Sequence, residues 1–239
     1  MSEGAATPAK TPGLGKNAAL ECLEGPVHVE RYTWEEVQKL PDAHPLKVMG
    51  LMHPNAAPKQ GKEHKVIFLN DPTKHGAEGI MQFGAFDSPD VLVSNGFGSC
   101  VFGVSLADGR ASLVHMLSTK QAQIGRKAYR AEWKRMIARM VPAGKKASFF
   151  VGGGMDQQGR FSSLNAVEDT LSEESREVQL FDVSGQTVRG QETTTVVAMP
   201  KERCIMVIRS AKAAEDDRAI DDIMIRPKID PAAFKGLLG

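Results

Sequence analysis

The chain has 239 residues, a formal net charge of +1, and acidic and basic side chains that are interspersed. This length suffices for one well-buried core, or for one domain with a small extension. The balanced charge gives no strong field, so we expect neither nucleic acid nor an anionic membrane as a partner. The longest apolar runs have the length of strands, and the N-terminus lacks an apolar signal core. We therefore expect no membrane insertion and no classical signal peptide.

Three cysteines, Cys22, Cys100 and Cys204, are far apart and form no Cys-x-x-Cys pair. This spacing argues against a disulfide framework and against zinc, and it fits a reducing compartment such as the cytoplasm. Cys204 lies in an alternating apolar run and is predicted to be a core thiol.

The first part of the chain divides into two predicted segments. Residues 1–20 consist mainly of Ala, Gly, Pro, Thr and Lys, a composition that predicts a disordered tail, with a secretion signal as the alternative. Residues 21–88 are predicted to be an N-terminal extension, packed on the core as a layer or acting as a small recognition domain. Thr33 and Glu36 have the spacing of a capping box, and Pro41 closes that helix. Strands are predicted at 27–32, 46–52 and 65–69.

Three histidines of the extension, His53, His64 and His75, lie near predicted turns. Their spacing fits no local chelate, and no carboxylate pattern accompanies them, so loop histidines are favoured over a metal site. We predict no metal and no cofactor.

The candidate site begins where Val91-Leu92-Val93 leads into the glycine-rich segment 94–100, which ends at Cys100. A second apolar run follows, and Asp108-Gly109 then predicts a hairpin turn. The returning strand carries His115. The hairpin should bring this imidazole beside the thiol, as a cysteine nucleophile requires. A buried, inert cysteine and a core histidine are the structural alternatives.

Downstream, a helix is predicted over 121–140. Its apolar stripe faces the core, and its many basic residues form either a solvated face, which we favour, or a docking surface for an acidic partner. A strand ending at Gly152-Gly153-Gly154 lacks the spacing of a nucleotide loop and favours close backbone packing. Further elements are predicted as a helix at 164–174 and strands at 177–183, 193–198 and 204–208. Hairpin-connected strands with a few helices predict an α+β fold.

The pattern Ser-x-Gly-x-Gly-Ser-Cys, followed by a strand, a turn and a histidine, resembles the chemoreceptor glutamine deamidase family CheD. The resemblance continues in order through the helix 128–141, the strand 147–154, Asn-Ala-Val-Glu at 165–168 and Asp-Val-Ser-Gly at 182–185. It implies a layered β-sandwich of mainly antiparallel sheets with helices packed outside. The core would span 89–210, with a C-terminal tail at 211–239. Toxin deamidases related to cytotoxic necrotizing factor share only the Cys and His core, with a similar gap (115 − 100 = 15).

The resemblance implies that the chain hydrolyses glutamine side-chain amides in proteins. Cys100 would be the nucleophile, His115 its base, and Ser94 would orient the histidine in place of the family's threonine. Backbone N–H groups of Ser99 and Cys100 would stabilise the oxyanion. The chain lacks the family's Leu-Pro after the histidine, and Ser184 stands where the family has a glycine. These departures bear on the identity of the substrate more than on the chemistry of the reaction.

Three other interpretations stay open. The substrate is either a chemoreceptor-like helical protein in a bacterial cytoplasm or a host protein such as a GTPase. In the second case the chain would be an effector that is delivered into a host cell without a classical signal peptide. A cysteine protease or transglutaminase would use the same Cys/His logic. A non-catalytic binding module with the same fold is the remaining alternative.

Overall fold

The computed structural model describes residues 17–20, 22, 25–54, 56–60, 65–97, 100–117, 119–141, 147–153, 178–182, 194–209 and 224–225. The strands in these ranges are β1 (Asn17–Leu20), β2 (Val27–Thr33), β3 (Val66–Phe68), β4 (Met81–Ser88), β5 (Val91–Phe97), β6 (Val101–Ala107), β7 (Arg110–Met116), β8 (Ala147–Gly153), β9 (Val178–Asp182), β10 (Thr194–Met199), β11 (Cys204–Arg209) and β12 (Met224–Ile225). The helices are α1 (Trp34–Lys39), α2 (Pro45–Val48), α3 (Pro72–His75), α4 (Thr119–Ile124) and α5 (Arg126–Met140).

The described strands form two six-stranded sheets. The first sheet has the order β1-β2-β11-β10-β5-β3, and the second has the order β12-β9-β8-β6-β7-β4. Most neighbours are antiparallel, and the parallel pairs are β2 with β11, β3 with β5, and β8 with β9. The predicted α+β class with mostly antiparallel sheets is confirmed at this level.

Three apolar clusters give the molecule four layers. An inner cluster lies between the sheets and includes Leu92 of the first sheet and Leu113 of the second. Helix α5 covers the outer face of the second sheet, and α1 and α2 cover the outer face of the first. The predicted stripe of α5 is fully confirmed, since each of its members is buried: Tyr129, Trp133, Met136, Ile137 and Met140.

The segment predicted as an extension supplies strands to both sheets. Strand β2 pairs with β11 and β3 pairs with β5 in the first sheet, while β4 pairs with β7 in the second. The strands of this segment that the structure describes are therefore part of the sandwich itself and not a layer added to it. The last four residues of the predicted tail are also ordered into the fold, because β1 pairs with β2; residues 1–16 lie outside the described ranges.

Two local predictions are wrong. The strand predicted over 46–52 is helix α2 followed by a turn. Pro45 occupies the first helical turn, where its fixed φ is favourable, and the His44 imidazole accepts a hydrogen bond from the Leu46 N–H. The single helix predicted over 121–140 is divided into α4 and α5 at Gly125, whose φ is +82°. The predicted helix at 164–174 lies outside the described residues.

Ion pairs on α5 explain part of its basic face. Arg135 and Arg139 both bind the Glu78 carboxylate, and the Arg139 guanidinium lies 3.9 Å from the centre of the Phe86 ring. The Glu132 carboxylate, one turn away, also binds Arg135. These ion pairs join α5 to the segment before β4, and their side chains remain partly exposed to water. This supports the interpretation of the basic face as a solvated helix face.

Candidate active site

The hairpin of β6 and β7 carries His115, and Cys100 of the predicted catalytic pair directly precedes it. Its turn is the predicted Asp108-Gly109, and both residues have positive φ values, of 49° and 67°. That conformation matches the right-handed twist of the flanking strands. The register places His115 directly opposite Phe102.

Cys100 lies in a bend immediately before β6. Its side chain packs against the inner cluster and is partly exposed. His115 borders the same cluster, because the Phe97 ring that stacks on it is one of the members of that cluster. Both side chains therefore lie against the inner cluster, Cys100 from the bend before β6 and His115 from β7.

The His115 ring is held between the two sheets and is only 2% exposed. The Phe97 ring of β5 stacks on it, with centroids 4.0 Å apart and planes inclined by 28°. The Phe83 ring of β4 approaches its edge at 5.7 Å. Burial lowers the pKa of His115 to about 3. The imidazole is therefore neutral near physiological pH, the state that a general base requires.

Ser94 is the third predicted site residue, and the structure places it beside the histidine. It lies in β5, fully buried, with its Oγ 3.3 Å from Nδ1 of His115. The other ring nitrogen, Nε2, is buried and has no hydrogen-bond partner among the described residues. Several other buried side-chain atoms also have no hydrogen-bond partner in the described ranges, so the feature alone does not mark a catalytic site, but at His115 it leaves one ring nitrogen available to a substrate or a thiol.

Asn70, which the sequence analysis did not single out, completes this cluster. Its Oδ1 accepts hydrogen bonds from the Ser94 hydroxyl at 2.9 Å and from the Asn95 N–H at 3.1 Å. Its Nδ2 donates to the Asn95 carbonyl at 3.0 Å. The reason lies in the sheet register: β3 runs parallel to β5 with Phe68 beside Val93, so two residues later Asn70 lies beside Asn95. No local sequence pattern signals this pairing.

Glycines allow the backbone to pass close to the site. Gly96 has a φ of +85°, and a Cβ there would lie 3.9 Å from Cε1 of His115. Gly152 and Gly153 of β8 pair with Phe102 and Val101. The predicted role of the glycine run, close backbone approach next to Cys100, agrees with this register.

Other predicted residues lie elsewhere or outside the described ranges. Ser99, a predicted oxyanion donor, is not among the described residues, and neither is His64. His53 is exposed, and His75 ends α3. In the described part of the chain, no three His, Cys, Asp or Glu side chains gather as a metal site would require. Cys204 is 5% exposed, and burial raises the pKa of its thiol, which confirms the prediction of a core cysteine.

No family model matches this chain, and no curated protein sequence matches it. None of the helices in the described ranges combines the length and the apolar character needed to cross a membrane.

Proposed function

We propose that the protein is a cysteine-dependent amidohydrolase that converts glutamine side chains of proteins to glutamate. The observation that carries the proposal is the buried His115: it is neutral, one of its nitrogens faces Ser94, and the other has no described partner. Cys100, in the bend before the same hairpin, packs against the inner cluster and is partly exposed. A neutral imidazole that can accept the proton of a nearby thiol is the arrangement that activates a cysteine nucleophile.

In the proposed reaction, Nε2 of His115 takes the proton of the Cys100 thiol as the sulfur attacks the amide carbonyl carbon. The resulting imidazolium donates that proton to the amide nitrogen, and ammonia leaves as the C–N bond breaks. Water, deprotonated by the same imidazole, attacks the thioester, and the C–S bond breaks to give glutamate and the free thiol. Backbone N–H groups of Ser99 and Cys100 are proposed to stabilise the oxyanion in both steps.

Burial of His115 bears on the resting state. A histidine with a pKa of about 3 holds no proton at neutral pH, so the resting imidazole is neutral. Proton transfer then accompanies attack on the substrate, and no stable thiolate–imidazolium pair precedes it. This differs from cysteine enzymes in which a charged histidine lowers the thiol pKa in advance.

Proteomic mass spectrometry of cells that produce the intact protein tests the activity without a known substrate. Bacterial cells and cultured eukaryotic cells should each be compared for wild type, Cys100→Ser and Cys22→Ser. Cys22 is the matched control, because it is also partly exposed and also packs against the inner cluster. We expect glutamine-to-glutamate conversion with wild type and Cys22→Ser, and none with Cys100→Ser.

Each other outcome of this experiment has a defined meaning. Identical proteomes for wild type and Cys100→Ser in both cell types would overturn the proposal. Peptide-bond cleavage that depends on Cys100 would assign a protease, and amine incorporation would assign a transglutaminase. The cell type in which conversion is found decides between a bacterial partner and a host-cell partner.

A further inference from the structure

We propose that Asn70 is a positioning residue that acts through Ser94 to fix which nitrogen of His115 carries the proton. The structural part of this inference rests on hydrogen-bond chemistry alone. Its catalytic consequence rests on the proposed cysteine-dependent activity.

The orientation of the Asn70 amide follows from the backbone that it contacts. The Asn95 N–H can only donate, so the atom 3.1 Å from it must be the amide oxygen. The Asn95 carbonyl can only accept, so the atom 3.0 Å from it must be the amide nitrogen. The two groups together exclude the flipped amide.

Because its partner is the amide oxygen, the Ser94 hydroxyl must be the donor in its 2.9 Å contact with Asn70. A hydroxyl has one proton and otherwise only lone pairs. Towards Nδ1 of His115, 3.3 Å away, the Ser94 oxygen can therefore only accept. Nδ1 must then carry the hydrogen.

A neutral imidazole has one N–H, so a proton at Nδ1 leaves the lone pair at Nε2. This is the buried nitrogen that has no hydrogen-bond partner among the described residues. The series of hydrogen bonds from Asn95 through Asn70 and Ser94 thus places the hydrogen on Nδ1 of His115. The lone pair at Nε2, on the side away from Ser94, is then available to accept a proton. Without Asn70, the Ser94 hydroxyl can turn and donate to Nδ1, which would move the hydrogen to Nε2 and remove the base.

Nitrogen NMR of histidine-labelled protein tests the assignment, because protonated and unprotonated ring nitrogens have distinct chemical shifts. The His115 signals are identified by their loss in His115→Gln among those of the six histidines of the chain. We expect a protonated Nδ1 and an unprotonated Nε2 in wild type. In Asn70→Ala we expect a shift towards the opposite tautomer, and in Asn70→Asp, which keeps the acceptor oxygen, the wild-type tautomer.

Asn95→Ala is the matched control, since it makes the same chemical change one strand away. It removes only the side-chain contact with the Pro54 carbonyl and keeps the backbone groups that bind Asn70, so the tautomer should not change. An Nε2–H signal in wild type would overturn the inference, and so would an unchanged tautomer in folded Asn70→Ala. The wild-type measurement decides even if Asn70→Ala does not fold.

Kinetics separate this inference from the proposed function. With a substrate found by proteomics, Asn70→Ala is expected to lower kcat between about tenfold and a hundredfold with little change in KM, a part of the roughly 10²–10⁴-fold that a general base supplies. Asn70→Asp should restore part of the loss. A wild-type protein that is inactive but has the predicted tautomer would contradict the proposed function and support the tautomer assignment. An active wild-type protein with the hydrogen on Nε2 would support the proposed function and contradict the tautomer assignment.

Discussion

At the scale of single residues, His115 is a buried histidine with a proposed chemical role. Its ring is sealed between Phe97 and Phe83, and the cost of charging it there lowers its pKa to about 3. Burial keeps the histidine neutral and able to accept a proton, although the lowered pKa makes it a weaker base than a free imidazole. Burial also makes the fold sensitive to acid, because below the ordinary pKa the unfolded chain binds a proton that the folded protein does not.

The sensitivity to acid gives a prediction about stability. Between its ordinary pKa of about 6.5 and the folded value of about 3, His115 is protonated in the unfolded state only, so stability falls as the pH falls. Each pH unit in this window should remove up to about 1.4 kcal/mol from the free energy of unfolding. Urea unfolding from pH 7 to pH 4 measures the slope for wild type, His115→Gln and the exposed-site control His53→Gln.

In this comparison His115→Gln should lose part of the slope, and His53→Gln should keep it. Equal slopes for wild type and His115→Gln would contradict the burial of a neutral histidine.

Ser94 gives a second prediction at this scale. Ser94→Ala removes the acceptor of the buried His115 Nδ1–H, which should cost about 1–3 kcal/mol of stability. It should also lower the proposed activity without abolishing it, since in the proposed mechanism Ser94 orients the base and does not react. Ser148→Ala is the matched control, because the Ser148 hydroxyl is fully buried and has no partner among the described residues. Chemical denaturation that finds no loss in Ser94→Ala beyond that of Ser148→Ala would contradict the account.

At the scale of elements, local sequence chemistry predicts most of what the structure contains. Asp108-Gly109 specifies the turn that brings His115 opposite Phe102, and the capping box of Thr33 and Glu36 has both of its hydrogen bonds. These features succeed because their causes lie within a few residues. The strand prediction for the short apolar run at 46–52 was wrong because such a run fits a strand or a buried helix equally well.

The capping box provides a prediction about helix α1. Thr33→Ala removes the hydroxyl that accepts the Glu36 N–H, and it should lower the free energy of unfolding by about 1 kcal/mol. The exposed Gln38→Ala in the same helix should stay within about 0.5 kcal/mol of wild type. Equal stabilities for the two variants in urea titrations would show that the cap does not contribute.

At the scale of the whole molecule, the site is built from parts of the chain that are far apart. Asn70 follows β3, Ser94 belongs to β5 and His115 to β7, and the first two strands lie in a different sheet from the third. Ser94 and Cys100 could be predicted because one short glycine-rich pattern contains both. His115 could be predicted because a hairpin turn returns its strand beside the strand that follows Cys100. Asn70 was missed because only the parallel pairing of β3 with β5, a tertiary contact, brings it to the site.

This integration predicts that residues 89–210 do not fold alone. A polypeptide that starts at residue 89 lacks β3, β4 and β2, the strands that pair with β5, β7 and β11. Its two sheets would therefore expose apolar side chains. We expect it to be aggregated or to lack a cooperative thermal transition by circular dichroism, in contrast to the intact chain. A cooperative transition in the shortened chain would mean that the N-terminal strands are a dispensable addition.

The central claim is that His115 withdraws the proton of Cys100, and alkylation of the resting protein by iodoacetamide tests it most directly. Peptide mass spectrometry gives the rate at Cys100 relative to Cys22, which lies near Gly25 by the β10–β11 turn and serves as an internal reference. We predict that this ratio falls about tenfold or more in His115→Gln, in line with the loss of a general base. A ratio that is unchanged by His115→Gln would contradict the account.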